Sequence, residues 1–433
     1  MIQVTPGITA LEYHKRRSKL AASLPNNSIA ILAASDTKYR SGAVFYEFHQ
    51  DSNFFYLTGF NEPEATAVIQ NVGPSGSGDY IFHLFVRPKD VKAESWDGAR
   101  SGNQAALDVF NADQTGDIAK LSTLLPPIIA GASEVFTDLS DTRSSFSKFF
   151  TGGEAGQYAF RNMLQDSKVK PLKPVLNELR VFKSEAEVAL MLSAGRISGR
   201  ALTNAMRTRW KTEKELDAFL DYQFKIGGCD TAAYIPVIAG GKHALKIHYV
   251  RNDDVLHDGD VVLVDAGGEV GGYITDITRT WPVSGKFSEA QKDLYNTVLD
   301  VQRSSISLCR QSSSISLDKI HKITERGLFE GLKQLGFDMS GDAMDILFPH
   351  HVGHYIGLDV HDCPGYPRTG ALEAGQCVTV EPGIYVPNED RWPKHFRGLG
   401  IRIEDSICVQ DESPLVLTAE AAKEVEDIEA LRN

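Results

Sequence analysis

Residues 261–280 read VVLVDAGGEVGGYITDITRT, and this stretch decides the fold of the chain. Four apolar residues lead into Asp265, glycines follow, and an alternating second segment carries Asp276. Two strands joined by a short glycine-rich turn form a hairpin, so the sequence predicts that the two carboxylates face each other across it. Two carboxylates at such a short distance inside a protein repel each other. The pKa of one of them then rises strongly unless a cation is present. The stretch therefore predicts a cation site on a β-hairpin.

Two apolar strands further along the chain also carry acids at their ends. The first, CVTVE, ends at Glu381, and the second, IRIED, contains Glu404. Residues 350–362 read HHVGHYIGLDVHD and hold four of the chain's twelve histidines. Four carboxylates with one imidazole and no thiolate favour manganese, cobalt or iron(II) over structural zinc, and their charge matches two divalent ions. A single strand-end acid is usually solvated and a single histidine is usually structural, but their clustering favours a two-metal site.

The composition argues against several classes of partner. The chain has 433 residues, with 45 Lys and Arg against 57 Asp and Glu, so its formal net charge is −12. An acidic surface repels nucleic acid and anionic lipid, which argues against both. We see neither an apolar run near the roughly 20 residues that cross a bilayer nor a signal-peptide core, which predicts a soluble, mature chain. Five scattered cysteines without C-x-x-C spacing predict buried free thiols.

Two domains are predicted, at residues 1–170 and 171–433. Residues 166–174 read DSKVKPLKP, whose two prolines and three lysines favour an exposed linker. Before it, the periodicity predicts an α/β unit with a helix over Thr9–Leu24 and strands over Ile29–Ala33, Ala65–Gln70 and Tyr80–Val86.

The second domain opens on predicted helices rather than strands. Three of them carry capping-box pairs at their starts, which are Ser184 with Glu187, Thr212 with Glu215, and Ser288 with Gln291. A fourth helix is predicted over Leu317–Leu335. Two helices, acid-bearing strands, two more helices and more acid-bearing strands follow in that order, which indicates a weak internal duplication of architecture.

Several motifs resemble those of aminopeptidase P, a family of pita-bread metallopeptidases. In the second half they are DAG at 265–267, DITRT at 276–280, GHYIGLDVHD at 353–362, EPGIY at 381–385 and RIED at 402–405. In the first half they are QDSNFFYLTGFNEPE at 50–64 and WDGAR at 96–100. The resemblance spans nearly the whole chain. The opening TPGITALEY at 5–13 and the doubled histidine at 350–351 are most similar to the eukaryotic mitochondrial branch of the family.

This resemblance implies a fold and a ligand set. The fold is an N-terminal α/β domain followed by a pita-bread domain with pseudo-twofold halves. Asp265 would bind one metal, His354 and Glu381 the other, and Asp276 and Glu404 would bridge both. The implied cofactors are two divalent ions, with Mn²⁺ expected. Every ligand position is intact, which speaks against a metal-free relative.

The resemblance also implies catalytic roles at the substrate. Glu381 would accept a proton from the attacking water and pass it to the leaving amine. His248, His361 and His350 would act at the substrate, and His248 and His361 would hydrogen-bond the peptide carbonyl and the developing oxyanion. A structural hydrogen-bonding role remains the alternative for each of the three histidines.

Three further candidates support the site in the family pattern. Arg402 and Tyr385 would orient ligands or the nucleophile, with a structural ion pair as the alternative for Arg402. Trp96 would contribute to a substrate subsite of a neighbouring subunit, since the family walls its active site with a second copy, and a place in the hydrophobic core is its alternative. The expected assembly is a homodimer.

The implied activity is removal of one N-terminal residue from peptides or proteins, with trimming of imported mitochondrial precursors expected. Alternatives are an Xaa-Pro aminopeptidase with strict proline preference, a prolidase-like dipeptidase and a non-catalytic pita-bread binding module. A mitochondrial location follows from the resemblance. A cytoplasmic location is the alternative, because the chain shows no presequence.

Overall fold

The structure is a computed structural model that describes residues 3–74, 76–139, 160, 164 and 169–432. It divides into two units, Met1–Arg180 and Val181–Asn433. The division lies beyond the predicted boundary at residue 170, because the helix Lys173–Arg180 packs against the first helix of the chain. Residues 166–168 of the predicted linker lie outside the described residues.

The first unit is built on a six-stranded sheet. Its elements are β1 (Gln3–Thr5), β2 (Ile8–Thr9), α1 (Ala10–Ser23), β3 (Ile29–Ala33), β4 (Tyr39–Ser41), β5 (Val44–Phe45), α2 (Ser52–Thr58), β6 (Thr66–Asn71), β7 (Tyr80–Val86), α3 (Val91–Asp97), α4 (Gly102–Asp108), β8 (Gln114–Asp117), α5 (Leu121–Gly131), β9 (Val135–Phe136), β10 (Val169–Lys170) and α6 (Lys173–Arg180). The sheet has the order β10-β9-β3-β6-β7-β8, and β3, β6 and β7 run antiparallel. The predicted helix and strands are confirmed, with one strand shifted by one residue to Thr66–Asn71.

The second unit alternates helix pairs with short sheets. Its elements are α7 (Glu185–Met206), α8 (Glu213–Gly227), β11 (Thr231–Ala232), β12 (Val237–Gly240), β13 (Val261–Asp265), β14 (Gly268–Val270), β15 (Tyr273–Ile274), β16 (Thr278–Pro282), α9 (Glu289–Ser307), α10 (Leu317–Gln334), α11 (Ala343–Leu347), β17 (Cys377–Val380), β18 (Gly383–Tyr385), β19 (Gly400–Arg402), β20 (Asp405–Cys408), β21 (Leu415–Val416) and α12 (Val425–Ala430). The mixed α/β class predicted for the chain is confirmed. A continuous hydrophobic core runs under the helices and strands of this unit.

Two of the three predicted capping boxes form. Ser184 and Ser288 each accept the backbone N–H three residues on, and the side chain at that position bonds back to the serine N–H. At the start of α8 the prediction is only half right. Thr212 accepts the N–H of Glu215, but the Glu215 carboxylate accepts the N–H of Lys211 at 3.0 Å.

The predicted single hairpin over 261–280 is wrong in detail. β13 pairs with β16, placing Asp265 opposite Thr278, whereas β14 pairs with β15 in a different sheet. Asp276 therefore lies in the connection between two sheets. The chain crosses itself at Gly267, where a Cβ would lie 1.9 Å from the carbonyl oxygen of Thr275, so only glycine fits there.

The duplicated order of helices and strands is present in the structure. The helix pair α7 and α8 precedes β11 to β16, and the pair α9 and α10 precedes β17 to β20. Each half also contains a tight crossing, since a Cβ on Gly353 would lie 2.0 Å from the carbonyl oxygen of Thr379, as for Gly267. The two crossings stand next to the acid-bearing and histidine-bearing segments.

The five cysteines are all buried and free, as the sequence predicts. Within the described residues, every helix is too short or too polar to cross a membrane.

Candidate metal centre

A cavity of about 870 Å³ in the second unit brings most of the predicted site residues together. Its lining includes all five predicted metal ligands together with His248, His350, His361 and Arg402. Tyr385 lies behind the residues that line the cavity, and hydrogen bonds of its hydroxyl connect it to the site. The ligands come from strand ends and loops, because a strand that stops at the cavity leaves its last side chain facing it.

The acids Asp265 and Asp276 are held side by side by one phenol. The hydroxyl oxygen of Tyr234 lies 2.6 Å from Asp265 Oδ1 and 2.6 Å from Asp276 Oδ1. The backbone N–H of Asp276 donates to the hydroxyl of Ser406, which donates in turn to its carbonyl oxygen. These contacts place Asp276 beside Asp265 although it is not on a strand.

Glu404 is the most buried of the acids, with 1% of the residue exposed. Its Oε2 accepts a hydrogen bond from the hydroxyl of Thr278 at 2.6 Å. Its Oε1 is buried and has no hydrogen-bond partner among the residues that the structure describes. A buried carboxylate oxygen without a donor is costly, and a cation would satisfy it.

His354 supplies the one imidazole of the cluster. Its Nδ1 lies 3.0 Å from the carbonyl oxygen of Tyr355, so Nδ1 carries the proton and Nε2 faces the acids. Nε2 lies 3.5 Å from Asp276 Oδ2 and 3.6 Å from Glu381 Oε1. One ligand atom from each of Asp276, His354 and Glu404 lies within 4.8 Å of the others, a spacing that fits a metal ion.

Burial and mutual repulsion perturb the carboxylates strongly. Burial raises the pKa of Asp265 to about 6, and the charge of Asp276 adds to that shift. Burial also raises the pKa of Glu381 to about 7 and that of Glu404 well above its usual value. Protein groups alone therefore leave excess negative charge in this cavity, and the oxygen-rich donor set suits hard or borderline divalent cations.

The histidine and one acid shift in the opposite sense. Burial alone would lower the pKa of His354, but the hydrogen bond to Asp276 and the charge of Glu381 raise it to about 9. Burial alone would raise the pKa of Asp276, yet the hydrogen bond from His354 brings it below its usual value. Without a cation, a proton on His354 partly compensates the acids.

Arg402 connects three parts of the site. It donates from Nη2 to Asp265 Oδ2 at 2.7 Å, from Nη1 to the Tyr385 hydroxyl at 2.9 Å and from Nε to Thr278 Oγ1 at 3.1 Å. Through Thr278 it also reaches Glu404. Arg402 and Tyr385 therefore lie where orienting roles require them, and the ion pair with Asp265 also has a structural effect.

His350 is engaged by protein groups on both ring nitrogens. Nε2 lies 2.9 Å from the Tyr385 hydroxyl, and Nδ1 lies 2.9 Å from the carbonyl oxygen of His351. Burial lowers the pKa of His350 to about 3, so the ring is neutral, donating from Nδ1 and accepting at Nε2. This arrangement favours the structural role that the sequence left open for His350.

His248 and His361 are more accessible. Both side chains line the cavity and both residues are exposed. The ring of His361 stands edge-on to that of His354, with centroids 4.5 Å apart. Both imidazoles can therefore reach a molecule bound next to the acids.

Trp96 lies in the first unit on α3, and 83% of it is exposed. The alternative that assigned it to a hydrophobic core is therefore wrong. An exposed tryptophan of this size is available to contact another molecule.

Sequence reasoning missed three residues that support the cluster. Tyr234 joins two of the acids, Thr278 donates to Glu404, and buried Arg279 donates to the Glu404 carbonyl oxygen at 2.5 Å and to Asp405 at 2.7 Å. Spacing could not reveal Tyr234, which stands 31 residues before Asp265. The alternating TRT after Asp276 did place Thr278 and Arg279 next to the site, but without a role.

Comparison with known proteins identifies the family of this chain. A sequence model of metallopeptidase family M24 matches residues 189–411, and one of the aminopeptidase P N-terminal domain matches residues 13–136. Intermediate cleaving peptidase 55 of Saccharomyces cerevisiae is 46% identical over 99% of this chain and 85% of its own length. Human Xaa-Pro aminopeptidase 3 is 36% identical over 99% of this chain and 87% of its own.

A solved structure shows that the fold is shared as well. The crystal structure of Icp55 from Saccharomyces cerevisiae superposes with a TM-score of 0.91 at 44% identity and covers 99% of both chains. Such likeness over the full length confirms the pita-bread architecture that the motifs imply. The chain therefore belongs to metallopeptidase family M24, and it is a metalloaminopeptidase of the aminopeptidase P type with an aminopeptidase P N-terminal domain.

Proposed function

We propose that this chain uses two Mn²⁺ ions to remove one N-terminal residue from imported mitochondrial precursor proteins. The observation that carries the proposal is the convergence of four acids and His354 on one cavity, with an unpartnered oxygen on Glu404. The identity to a yeast intermediate cleaving peptidase supports the choice of substrate. The 36% identity to the mitochondrial intermediate cleaving peptidase 55 of Arabidopsis thaliana supports a mitochondrial location.

The ligand assignment in this proposal is the one that the family resemblance implies. Asp265, Asp276, His354, Glu381 and Glu404 would together hold the two ions, and the spacing of Asp276, His354 and Glu404 supports this. When bound, the two ions supply an activated water and polarise the peptide carbonyl.

Glu381 acts as the general base in this proposal. It lies at the end of β17, with Oε1 next to His354 and Oε2 3.8 Å from His350 Nδ1. A carboxylate with a pKa raised to about 7 can take a proton and return it to the leaving amine near neutral pH.

His248 and His361 bind the peptide carbonyl and donate to the developing oxyanion. The free α-ammonium of the substrate is attracted to the acidic cluster, which limits cleavage to one residue. Arg402 and Tyr385 hold Asp265 and His350 in place. Trp96 completes a subsite in a partner subunit of a homodimer, which its exposure permits.

Peptide profiling tests this proposal. Purified chain, stripped with chelator and reloaded with Mn²⁺, is expected to release Tyr, Leu or Phe from the first position of longer peptides. Cleavage restricted to peptides with Pro at the second position would instead establish a strict Xaa-Pro aminopeptidase, which the identity to human Xaa-Pro aminopeptidase 3 favours. Hydrolysis of dipeptides alone would identify a prolidase. Absence of both bound metal and hydrolysis would contradict the proposal and leave a binding module.

A further inference from the structure

Glu213 is a fully buried carboxylate that lies outside the acidic cluster. It stands at the first position of α8, and 0% of the residue is exposed. A buried charge of this kind is retained only where hydrogen bonds replace its water. Its partners all belong to one segment, residues 240–254, which joins β12 to the approach of β13.

Four donors converge on the two oxygens of Glu213. Oε1 accepts from the backbone N–H of Gly240 at 3.0 Å and from Nδ1 of His243 at 2.9 Å. Oε2 accepts from the hydroxyl of Tyr249 at 2.8 Å and from the backbone N–H of Asp254 at 2.9 Å. An amide in place of this carboxylate would oppose the donors at one of its two positions with another donor, whereas the two carboxylate oxygens can accept from all four groups.

The anchored segment carries His248 into the cavity. His248 immediately precedes Tyr249, whose ring stacks on His243 with centroids 4.2 Å apart and packs in one cluster with Tyr385. Among the residues that the structure describes, we find no hydrogen bond to the His248 ring. The position of that ring therefore depends on the backbone around it, and Glu213 holds that backbone at both ends and next to His248.

We propose that Glu213 is the positioning residue for His248, holding residues 240–254 so that this imidazole faces the substrate. The inference rests on the proposed function, in which His248 binds the peptide carbonyl. Glu213 itself lines no part of the cavity and contacts none of the metal ligands in the described structure. In this inference Glu213 affects the reaction by positioning His248, which distinguishes it from a residue that merely stabilises α8.

A double-mutant cycle on the full chain tests this inference. Glu213→Gln keeps the size of the side chain but puts an amide group against two donors, so kcat/KM is expected to fall about tenfold. In a His248→Ala background the same change is expected to lower kcat/KM less than about twofold, because the imidazole that Glu213 positions is absent. Bound metal, measured by atomic emission, is expected to remain at the wild-type level in each variant.

Thr212→Ala is the matched control, since it removes the N-cap of the same helix without touching the four donors. It is expected to lower the thermal midpoint while leaving kcat/KM unchanged. If Glu213→Gln does not unfold cooperatively, Tyr249→Phe takes its place in the double-mutant cycle, because it removes the hydroxyl that donates to Glu213. Equal effects with and without His248, or loss of activity in Thr212→Ala, would overturn the inference. An inactive, metal-loaded wild type would instead contradict the proposed function.

Discussion

Glu381 differs from the other acids of the cluster in its surroundings. Its two oxygens face the imidazoles of His354 and His350, and the hydroxyl of Thr379 donates a long hydrogen bond of 3.4 Å to Oε1. Asp265, by contrast, is held by Arg402 at 2.7 Å, and Glu404 accepts from Thr278 at 2.6 Å. Among the described residues, the carboxylate of Glu381 makes no such short contact and can exchange a proton during a reaction. The carboxylates of Asp265 and Glu404 are instead held in fixed orientations by their short hydrogen bonds.

We expect Glu381→Gln to lower kcat by about 100- to 10,000-fold, because an amide cannot accept the proton. The amide preserves the size of the side chain, so the circular dichroism spectrum and the thermal midpoint are expected to stay close to wild type. Steady-state kinetics with a peptide substrate measures the effect. Thr379→Val serves as a control. The Thr379 hydroxyl neighbours Glu381, with its oxygen 3.4 Å from Oε1, but it takes no part in proton transfer in our proposal. Near wild-type turnover in Glu381→Gln would remove this residue from the mechanism.

At the scale of elements, β16 and β20 are joined through charges beneath the site. Arg279 on β16 and Asp405 on β20 form an ion pair at 2.7 Å with both side chains fully buried. The same carboxylate accepts from Thr418 and Gln302 at 2.7 Å and from Lys423 at 2.8 Å. The strand that follows Glu404 is thereby fixed to the strand that follows Asp276.

We expect Asp405→Asn to reduce the free energy of unfolding by about 3–5 kcal/mol, because Arg279 is left buried without its counter-charge. Urea denaturation of the metal-loaded chain at neutral pH measures this loss. Glu426→Gln removes the acid from an exposed ion pair with Lys292 and should leave the unfolding free energy nearly unchanged. A loss in Asp405→Asn no larger than that of this control would show that the pair does not join the two strands.

The sequence predicts correctly those elements whose signals involve residues close together in the chain. Ser184 and Ser288 begin helices as predicted, since a capping box involves residues three positions apart. The capping box predicted at Thr212 forms only in part, because the Glu215 carboxylate accepts the backbone N–H of Lys211 instead. The hairpin at 261–280 departs because a chain crossing at Gly267 separates β14 and β15 from β13 and β16. A crossing involves contacts that alternation of polarity does not encode.

At the scale of the whole molecule, the acidic cluster couples metal content to pH and stability. The pKa of Asp265 is raised from 3.8 to about 6 and that of Glu381 from 4.5 to about 7, mainly by burial. Between those unfolded and folded values the folded, metal-free chain binds more protons than the unfolded chain. Its stability therefore falls as pH rises from about 4 to about 7.

We expect chelation to lower the thermal midpoint and to make that loss larger at pH 7.5 than at pH 5.5. Deprotonation of the acids strengthens their repulsion without metal and improves their binding of metal, so Mn²⁺ affinity is expected to rise over the same range. Calorimetry of Mn²⁺ binding in buffers of different ionisation enthalpy measures both the affinity and the protons released. A midpoint that does not respond to chelation at either pH would contradict the assignment of this cavity as the metal centre.

The sequence by itself predicted the donor set and determined most of the elements that carry it. Strand alternation, capping pairs and strand-end acids involve neighbours in the chain, and the resemblance of the motifs identified Asp265, Asp276, His354, Glu381 and Glu404 as one group. Only the tertiary structure decided which residues hold that group in place. Thr278 meets Glu404 across 126 positions and Tyr234 meets Asp276 across 42, while Glu213 reaches Tyr249 across 36. Such contacts arise when distant segments pack together, and no local spacing in the sequence specifies them.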